Sequence, residues 1–121
     1  MLNTLFIIFA IIVALLHFGF LLLEMRYWNK PLGRRIFRMN QKQADDSKFL
    51  AENMGLYNGF LAVGIVVALM FSSQLMLSFL LSCIIVAGLY GGIRIKPFVF
   101  VIQGLPALVA LLLYYVARAA M

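Results

Sequence analysis

Four long apolar runs fill most of the chain, and short polar segments separate them. Their approximate limits are residues 3–25, 49–71, 75–93 and 98–117. Each run approaches the roughly 20 apolar residues with which an α-helix crosses the hydrocarbon core of a bilayer. Because the chain has 121 residues, four such spans leave no room for a second domain. The pattern predicts an all-α integral membrane protein, a four-helix bundle that forms one domain over residues 1–121.

The polar segments between the runs predict the orientation of the spans. The longest is a loop over residues 26–48, which carries seven of the ten basic residues. Nine of the ten fall on the side of this loop and of the 94–97 connection, and Arg118 falls on the other side. The positive-inside rule places the basic side in the cytoplasm. We expect a multi-pass protein of the cytoplasmic membrane, with both termini on the extracytoplasmic side.

Composition agrees with a membrane protein and excludes several classes of site. Apolar residues make up 65% of the chain and charged residues 12%, whereas soluble domains are about half apolar and a quarter charged. The net charge of +6 is concentrated beside the spans, so we expect no nucleic-acid partner. One histidine and one cysteine, Cys83, do not supply the ligands of a zinc site. We therefore expect neither a metal nor a cofactor.

Small residues recur at helical spacing within the runs and predict where the helices touch. Lipid is as apolar as leucine, so membrane helices associate where small side chains let their backbones approach closely. Gly104 and Pro106 should also loosen the backbone hydrogen bonds of the fourth run. The predicted contact residues, in chain order, are Ala10, Ala14, Ala51, Gly55, Gly59, Ser78, Ser82, Gly88, Gly92, Ala107, Ala110 and Ala117.

Polar side chains inside the runs are few, and each needs a partner, a water-filled cavity or an interfacial position. His17 and Glu24 are seven residues apart and share one face of the first helix. We estimate the depth of each polar residue from the end of its run, at about 1.5 Å per residue. These depths predict two layers of polar residues in the cytoplasmic half of the bundle, whereas the outer half is apolar. The deeper layer contains His17, Tyr57, Asn58 and Gln103. The shallower layer contains Glu24, Asn53, Tyr90 and Glu52, the last of which is expected to be solvated or paired with a loop arginine. Together they predict a ligand-binding polar cavity that opens to the cytoplasm.

The basic loop also predicts a contact with lipid. Arg34, Arg35 and Arg38 alternate with apolar residues, a pattern typical of a segment that lies on an anionic membrane surface. We predict that these three arginines contact lipid headgroups. The alternative is that their charge only determines the topology. Tyr27 and Trp28, at the end of the first run, are expected to be interfacial anchors.

Three segments carry a resemblance to a known family. They are Glu52-Asn53-x-Gly55-Leu56-Tyr57-Asn58-Gly59, Val86-Ala87-Gly88-x-Tyr90-Gly91 and Gln103-Gly104-Leu105-Pro106-Ala107. The chain resembles, over nearly its whole length, the small bacterial integral-membrane family of domain of unknown function 1304. The resemblance implies a four-span bacterial membrane protein. Members of that family are sometimes labelled epimerases, which favours an enzyme modestly and supplies no reaction to transfer.

Three functions remain open from the sequence, and whether the chain is an enzyme is one of the open points. The first is binding or transport of a small polar molecule or lipid headgroup in the polar cavity. The second is a membrane-embedded isomerase or epimerase of a lipid-soluble substrate, with His17 as acid/base, Glu24 as its orienting carboxylate and Tyr57 as a second acid or an oxyanion donor. The third is a non-catalytic accessory protein. We also expect a parallel homodimer, because twofold assemblies are common.

The nine-to-one distribution of basic residues predicts a single orientation in the membrane. In a Cys83→Ser background, cysteines at positions 3 and 120 should react with an impermeant maleimide added to the extracytoplasmic side. A Gln43→Cys variant should react only after the membrane is made permeable. Labelling of both termini from both sides would contradict the predicted orientation.

Overall fold

The computed structural model describes the backbone of residues 1–121 and every side chain except that of Leu2. Its described residues are helical or in turns and contain no β-strand. The elements are α1 (Leu2–Arg26), α2 (Pro31–Phe37), α3 (Gln41–Met70), α4 (Gln74–Arg94), α5 (Pro97–Val99), a π-helical segment (Phe100–Gly104) and α6 (Leu105–Ala119).

Four helical stretches in the described part of the chain are long and apolar enough to cross a membrane. They are Asn3–Arg26, Gln41–Met70, Gln74–Arg94 and Pro97–Ala119. Each contains one of the four apolar runs almost completely. The prediction of an all-helical chain with four long apolar helices is confirmed.

The basic segment 26–48 is largely helical, which the sequence analysis did not predict. It contains α2, and α3 already begins at Gln41. The start of α3 is a reciprocal cap: the Gln43 backbone N–H donates to Asn40 Oδ1 over 2.8 Å, and the Asn40 N–H donates to Gln43 Oε1 over 2.9 Å. Such a pair satisfies backbone donors that a helix start leaves without partners. The helix therefore begins two turns before the apolar run.

The π-helical segment interrupts the fourth long apolar helix where Gly104 and Pro106 are expected to loosen it. The Leu105 N–H donates to the Phe100 carbonyl oxygen, five residues back. Pro106 follows one residue later and has no N–H to donate. A single turn of wider helix therefore lets the chain continue through the proline without ending the span, as in other π-bulges.

The chain forms two compact units, Met1–Ala14 with Val63–Met121, and Leu15–Ala62. In the first, glycines of α4 pack against the π-helical segment. A Cβ on Gly88 would lie 2.6 Å from both N and Cα of Gly104, and a Cβ on Gly92 would lie 2.8 Å from Phe100 Cβ. Backbone thus meets backbone at Gly88, which confirms that glycine as a contact residue.

The expected Ser78–Ser82 contact is wrong in part, because Ser82 is exposed. Ser78 instead accepts a hydrogen bond from Tyr115 Oη over 3.3 Å. Large aliphatic residues, rather than a second pair of small ones, are buried in the first half of α4. The buried residues of α4 are Leu77, Leu81, Ile84, Gly88 and Gly91.

In the second unit, α1 packs on the glycine face of α3. A Cβ on Gly55 would lie 2.6 Å from Met25 Cγ, and a Cβ on Gly59 would overlap Leu21 Cδ1. Ala51, one turn before Gly55, is 1% exposed. The predicted small-residue face of the second span is therefore confirmed within this unit.

Close backbone approach at Gly88 predicts a large difference between two otherwise similar substitutions. Gly88→Ala should lower the free energy of unfolding by about 1–3 kcal/mol, because the methyl group has to displace backbone. Gly19→Ala is the control, since a Cβ there meets nothing within 4 Å, and it should be neutral or stabilising by up to about 1 kcal/mol. Thermal unfolding of both variants in the same micelle measures the difference. Equal melting temperatures would contradict the packing described here.

Candidate polar site in the first and third helices

The register between α1 and α3 in the Leu15–Ala62 unit determines which polar residues meet. Met25 is opposite Gly55, and Leu21 is opposite Gly59. A step of four residues back along α1 is therefore matched by a step of four residues forward along α3. The helices are antiparallel neighbours, and the absent glycine side chains allow their close approach.

Glu24 and Asn58 form a hydrogen bond across this pair of helices. Asn58 Nδ2 donates to Glu24 Oε2 over 2.8 Å. Glu24 is 8% exposed, and a Cβ on Gly55 would lie 3.2 Å from its Cβ. The carboxyl group is thus enclosed by the glycine face of α3 and held by a side-chain amide.

His17 lies deeper along α1 and is fully buried. Its ring stacks edge-on against Phe20, with ring centroids 5.3 Å apart. Leu21 lies opposite Gly59, and His17 precedes Leu21 by one helical turn. His17 is therefore one turn further than Gly59 from the Glu24 end of this helix pair. Seven residues of helix separate it from Glu24, a rise of about 10 Å.

The predicted layer that joins His17 with Asn58 is wrong, because Asn58 pairs with Glu24. When depth is counted from the ends of the apolar runs, residue 58 is expected at the level of residue 17. In the structure, residue 55 faces residue 25. Residue 58 therefore lies at the level of residue 22, five residues or about 8 Å along α1 from the expected position. The start of an apolar run depends only on the hydrophobicity of one segment. The register between α1 and α3 depends instead on where small residues let the two helices touch.

The other predicted ligand-binding residues of α3 point away from this contact. Asn53 is exposed, and Tyr57 is 59% exposed. The Tyr57 ring packs edge-on against Phe60, with centroids 5.6 Å apart. Asn53 and Tyr57 thus lie on an exposed face of α3 and not on the face that its glycines form.

Tyr90 and Gln103 belong to the other compact unit. Tyr90, on α4, is 68% exposed. Gln103 is half-buried and lies inside the π-helical segment. A side chain in a π-bulge is displaced from regular helical positions, a geometry that occurs frequently at functional sites.

A shallow groove of about 500 Å³ runs along the last turns of α1. Its walls are apolar, and Arg26 and Tyr27 lie at one end. Glu24 and His17 do not line it. In the described part of the chain, no three His, Cys, Asp or Glu side chains are grouped closely enough to hold a metal ion.

Trp28 is a buried residue of the basic segment, so its predicted role as an interfacial anchor is wrong. It is 9% exposed and packs with Ala44 and Ala51. Its Nε1 donates to Ser47 Oγ over 2.9 Å. Because α3 begins at Gln41, two turns before its apolar run, it covers the tryptophan. Tyr27, beside it, is exposed.

The three arginines of the basic segment differ in their surroundings. Arg35 and Arg38 are exposed, whereas Arg34 is half-buried and its Nε atom is enclosed. Arg38 ends α2 with a φ of 53°, in the left-handed region, where glycine or asparagine is the usual residue.

Comparison with known proteins identifies the family of this chain. The family described as "Protein of unknown function (DUF1304)" matches residues 11–115. The chain is also similar to "Uncharacterized protein YpaA" of Lactococcus lactis subsp. lactis (strain IL1403), with 32% identity over 110 residues that cover 88% of this chain and 92% of that protein. No solved structure gives a significant match. The chain belongs to the DUF1304 family.

Proposed function

We propose that this protein binds and transports a small polar molecule or lipid headgroup, and that Glu24 and Asn58 are the centre of its binding site. The proposal rests on the carboxyl group of Glu24. It lies in a helix long and apolar enough to span a membrane, it is 8% exposed, and a neutral amide holds it. Ionisable residues in such positions typically mark ligand or ion pathways.

The chemistry of the pair favours a ligand that carries hydrogen-bond donors or a positive charge. Asn58 bonds to one oxygen of Glu24, and a carboxylate can accept several hydrogen bonds at its two oxygens. Two carboxylates of α3 have basic partners, in the Lys42–Asp46 and Lys48–Glu52 ion pairs, and the third, Asp45, is exposed and accepts from the side-chain amides of Asn29 and Gln41. Glu24 is held by an amide like Asp45, but it is buried. An ammonium, or a pair of hydroxyl or amide donors, would complement it.

His17 would provide a second contact for the same ligand. It is buried and shares the helical face of Glu24, about 10 Å further along α1. Histidine exchanges protons near neutral pH. A protonation step at this depth would couple movement of the ligand to a pH gradient.

The isomerase alternative has less geometric support. Acid/base catalysis requires both groups to reach the reacting atoms, each within hydrogen-bond distance or through one water. His17 and Glu24 lie two turns apart on one helix, and Tyr57 is 59% exposed. A substrate would have to reach both His17 and Glu24, about 10 Å apart along α1, whereas a bound ligand needs only the Glu24–Asn58 pair.

Native mass spectrometry of the full-length protein, released gently from its own membranes, tests the binding site. The wild type should retain a reproducible bound mass. Glu24→Gln should weaken binding by at least about tenfold in dissociation constant, equivalent to about 1.4 kcal/mol, and so lower the occupancy, since the carboxylate charge is lost. Proteoliposomes loaded with the identified molecule should then show flux that follows a pH gradient and is lost in His17→Ala.

The matched control is Glu52→Gln, which makes the same substitution at a carboxylate paired with Lys48. This variant should keep wild-type occupancy. If wild type and Glu24→Gln carry the same bulk lipid at the same occupancy, the Glu24–Asn58 pair serves helix packing alone. The accessory-protein hypothesis then replaces the proposed function.

A further inference from the structure

We propose that α2 and its flanking residues form a preformed docking surface for anionic phospholipid at the end of the first span. This surface, the α2 face, consists of Leu32, Arg35, Ile36 and Arg38. It is independent of the Glu24–Asn58 site, because none of its residues contacts that pair in the interactions described above. The α2 face would contact lipid around the protein, whereas the Glu24–Asn58 pair would bind its ligand within the first apolar helix.

The α2 face is held firmly by the protein behind it. Gly33 is buried, and a Cβ there would overlap the Tyr27 backbone oxygen and lie 2.6 Å from that of Trp28. Only glycine permits so close an approach of α2 to the end of α1. The Phe37 ring packs on the Trp28 ring, with centroids 4.5 Å apart. These contacts fix which side of α2 faces outward.

The outward side combines apolar and basic residues. Leu32 and Ile36 are 49% and 43% exposed and lie one turn apart, so they form a continuous apolar ridge. Arg35 and Arg38 are exposed beside it. An apolar ridge flanked by basic side chains is the arrangement with which short helices lie in the headgroup region of a bilayer.

Charge identifies the lipid as anionic. Residues 26–44 contain six basic residues and no acidic residue. Polybasic segments beside a span are attracted to anionic lipids at the membrane surface. The α2 face starts a few residues after Arg26, where the first candidate span ends, so a bilayer that the span crosses would bring its headgroups to this level.

The conformation of Arg38 adds an independent indication. An arginine at a φ of 53° occupies a position that glycine or asparagine adopts at lower cost. Helix termination alone would be served better by either of those residues. A guanidinium that contacts phosphate gives a physical reason for arginine at this position.

Trp28 is the chain's single tryptophan and reports on lipid beside α2. The full-length protein is reconstituted in phosphatidylcholine with about 30% phosphatidylglycerol, with bromine atoms on the acyl chains of one lipid or the other. Quenching of Trp28 fluorescence gives the relative binding constant of the two lipids. Wild type should prefer phosphatidylglycerol. Arg35→Gln/Arg38→Asn should lower the preference roughly tenfold, towards unity, and asparagine keeps the left-handed position favourable.

The control variant is Arg94→Gln/Lys96→Gln, which removes the same charge from the segment between α4 and α5. It should keep the wild-type preference. Equal quenching by both lipids in the wild type, or an equal loss of preference in the control variant, would overturn the proposal. Absence of quenching by either lipid would also overturn it and would leave the α2 face for an acidic protein. The wild-type measurement stands without any variant, so a folding defect cannot decide the result.

Discussion

A carboxyl group buried in a long apolar helix needs a hydrogen-bond partner, and the arrangement of residues 15–62 supplies one to Glu24. A polar group that is removed from water without a hydrogen bond is strongly unfavourable. Asn58 meets this requirement over 2.8 Å. It reaches Glu24 because Gly55 and Gly59 let α1 approach the backbone of α3. The hydrogen bond and the glycine contacts therefore support one another.

The same physical rule operates in the other compact unit, with a different result. Gly88 meets Gly104 backbone to backbone, beside a π-helical turn that accommodates Pro106. Dispersion forces and close contact have to hold helices together where lipid competes equally for apolar side chains. Glycine here serves backbone packing, whereas at Gly55 it also encloses a polar group. One residue type thus performs two tasks in one chain.

The sequence predicted four long apolar helices because the length of an apolar run can be counted directly along the chain. It also predicted the contact glycines and the loosening near Pro106, which follow from local residue chemistry. It did not predict the partner of Glu24, because register is a property of two helices together, and the apolar run of α3 begins eight residues after its first helical residue, Gln41. The Asn40–Gln43 cap was the available signal for that early start.

The surroundings of Trp28 and of the arginines of the basic segment could not be predicted from the sequence for a related reason. A tryptophan and several arginines beside a span are typical of the headgroup region, and sequence pattern cannot show which of them the protein itself covers. The early start of α3 buries Trp28, and the close approach at Gly33 turns Arg34 partly inward. Arg35 and Arg38 keep the outward positions. Tertiary contacts, rather than residue type, divide this segment into a core and a surface.

Solid-state NMR of the full-length protein in lipid bilayers tests the central interaction most directly. In Glu52→Gln protein, Glu24 is the sole glutamate, so its ¹³C-labelled carboxyl group can be paired with ¹⁵N-labelled asparagine side chains. We expect a weak but measurable dipolar coupling at a carbon–nitrogen distance of about 4 Å, which Asn58→Leu abolishes. A carboxyl signal without such coupling, or a coupling that persists in Asn58→Leu, would contradict it.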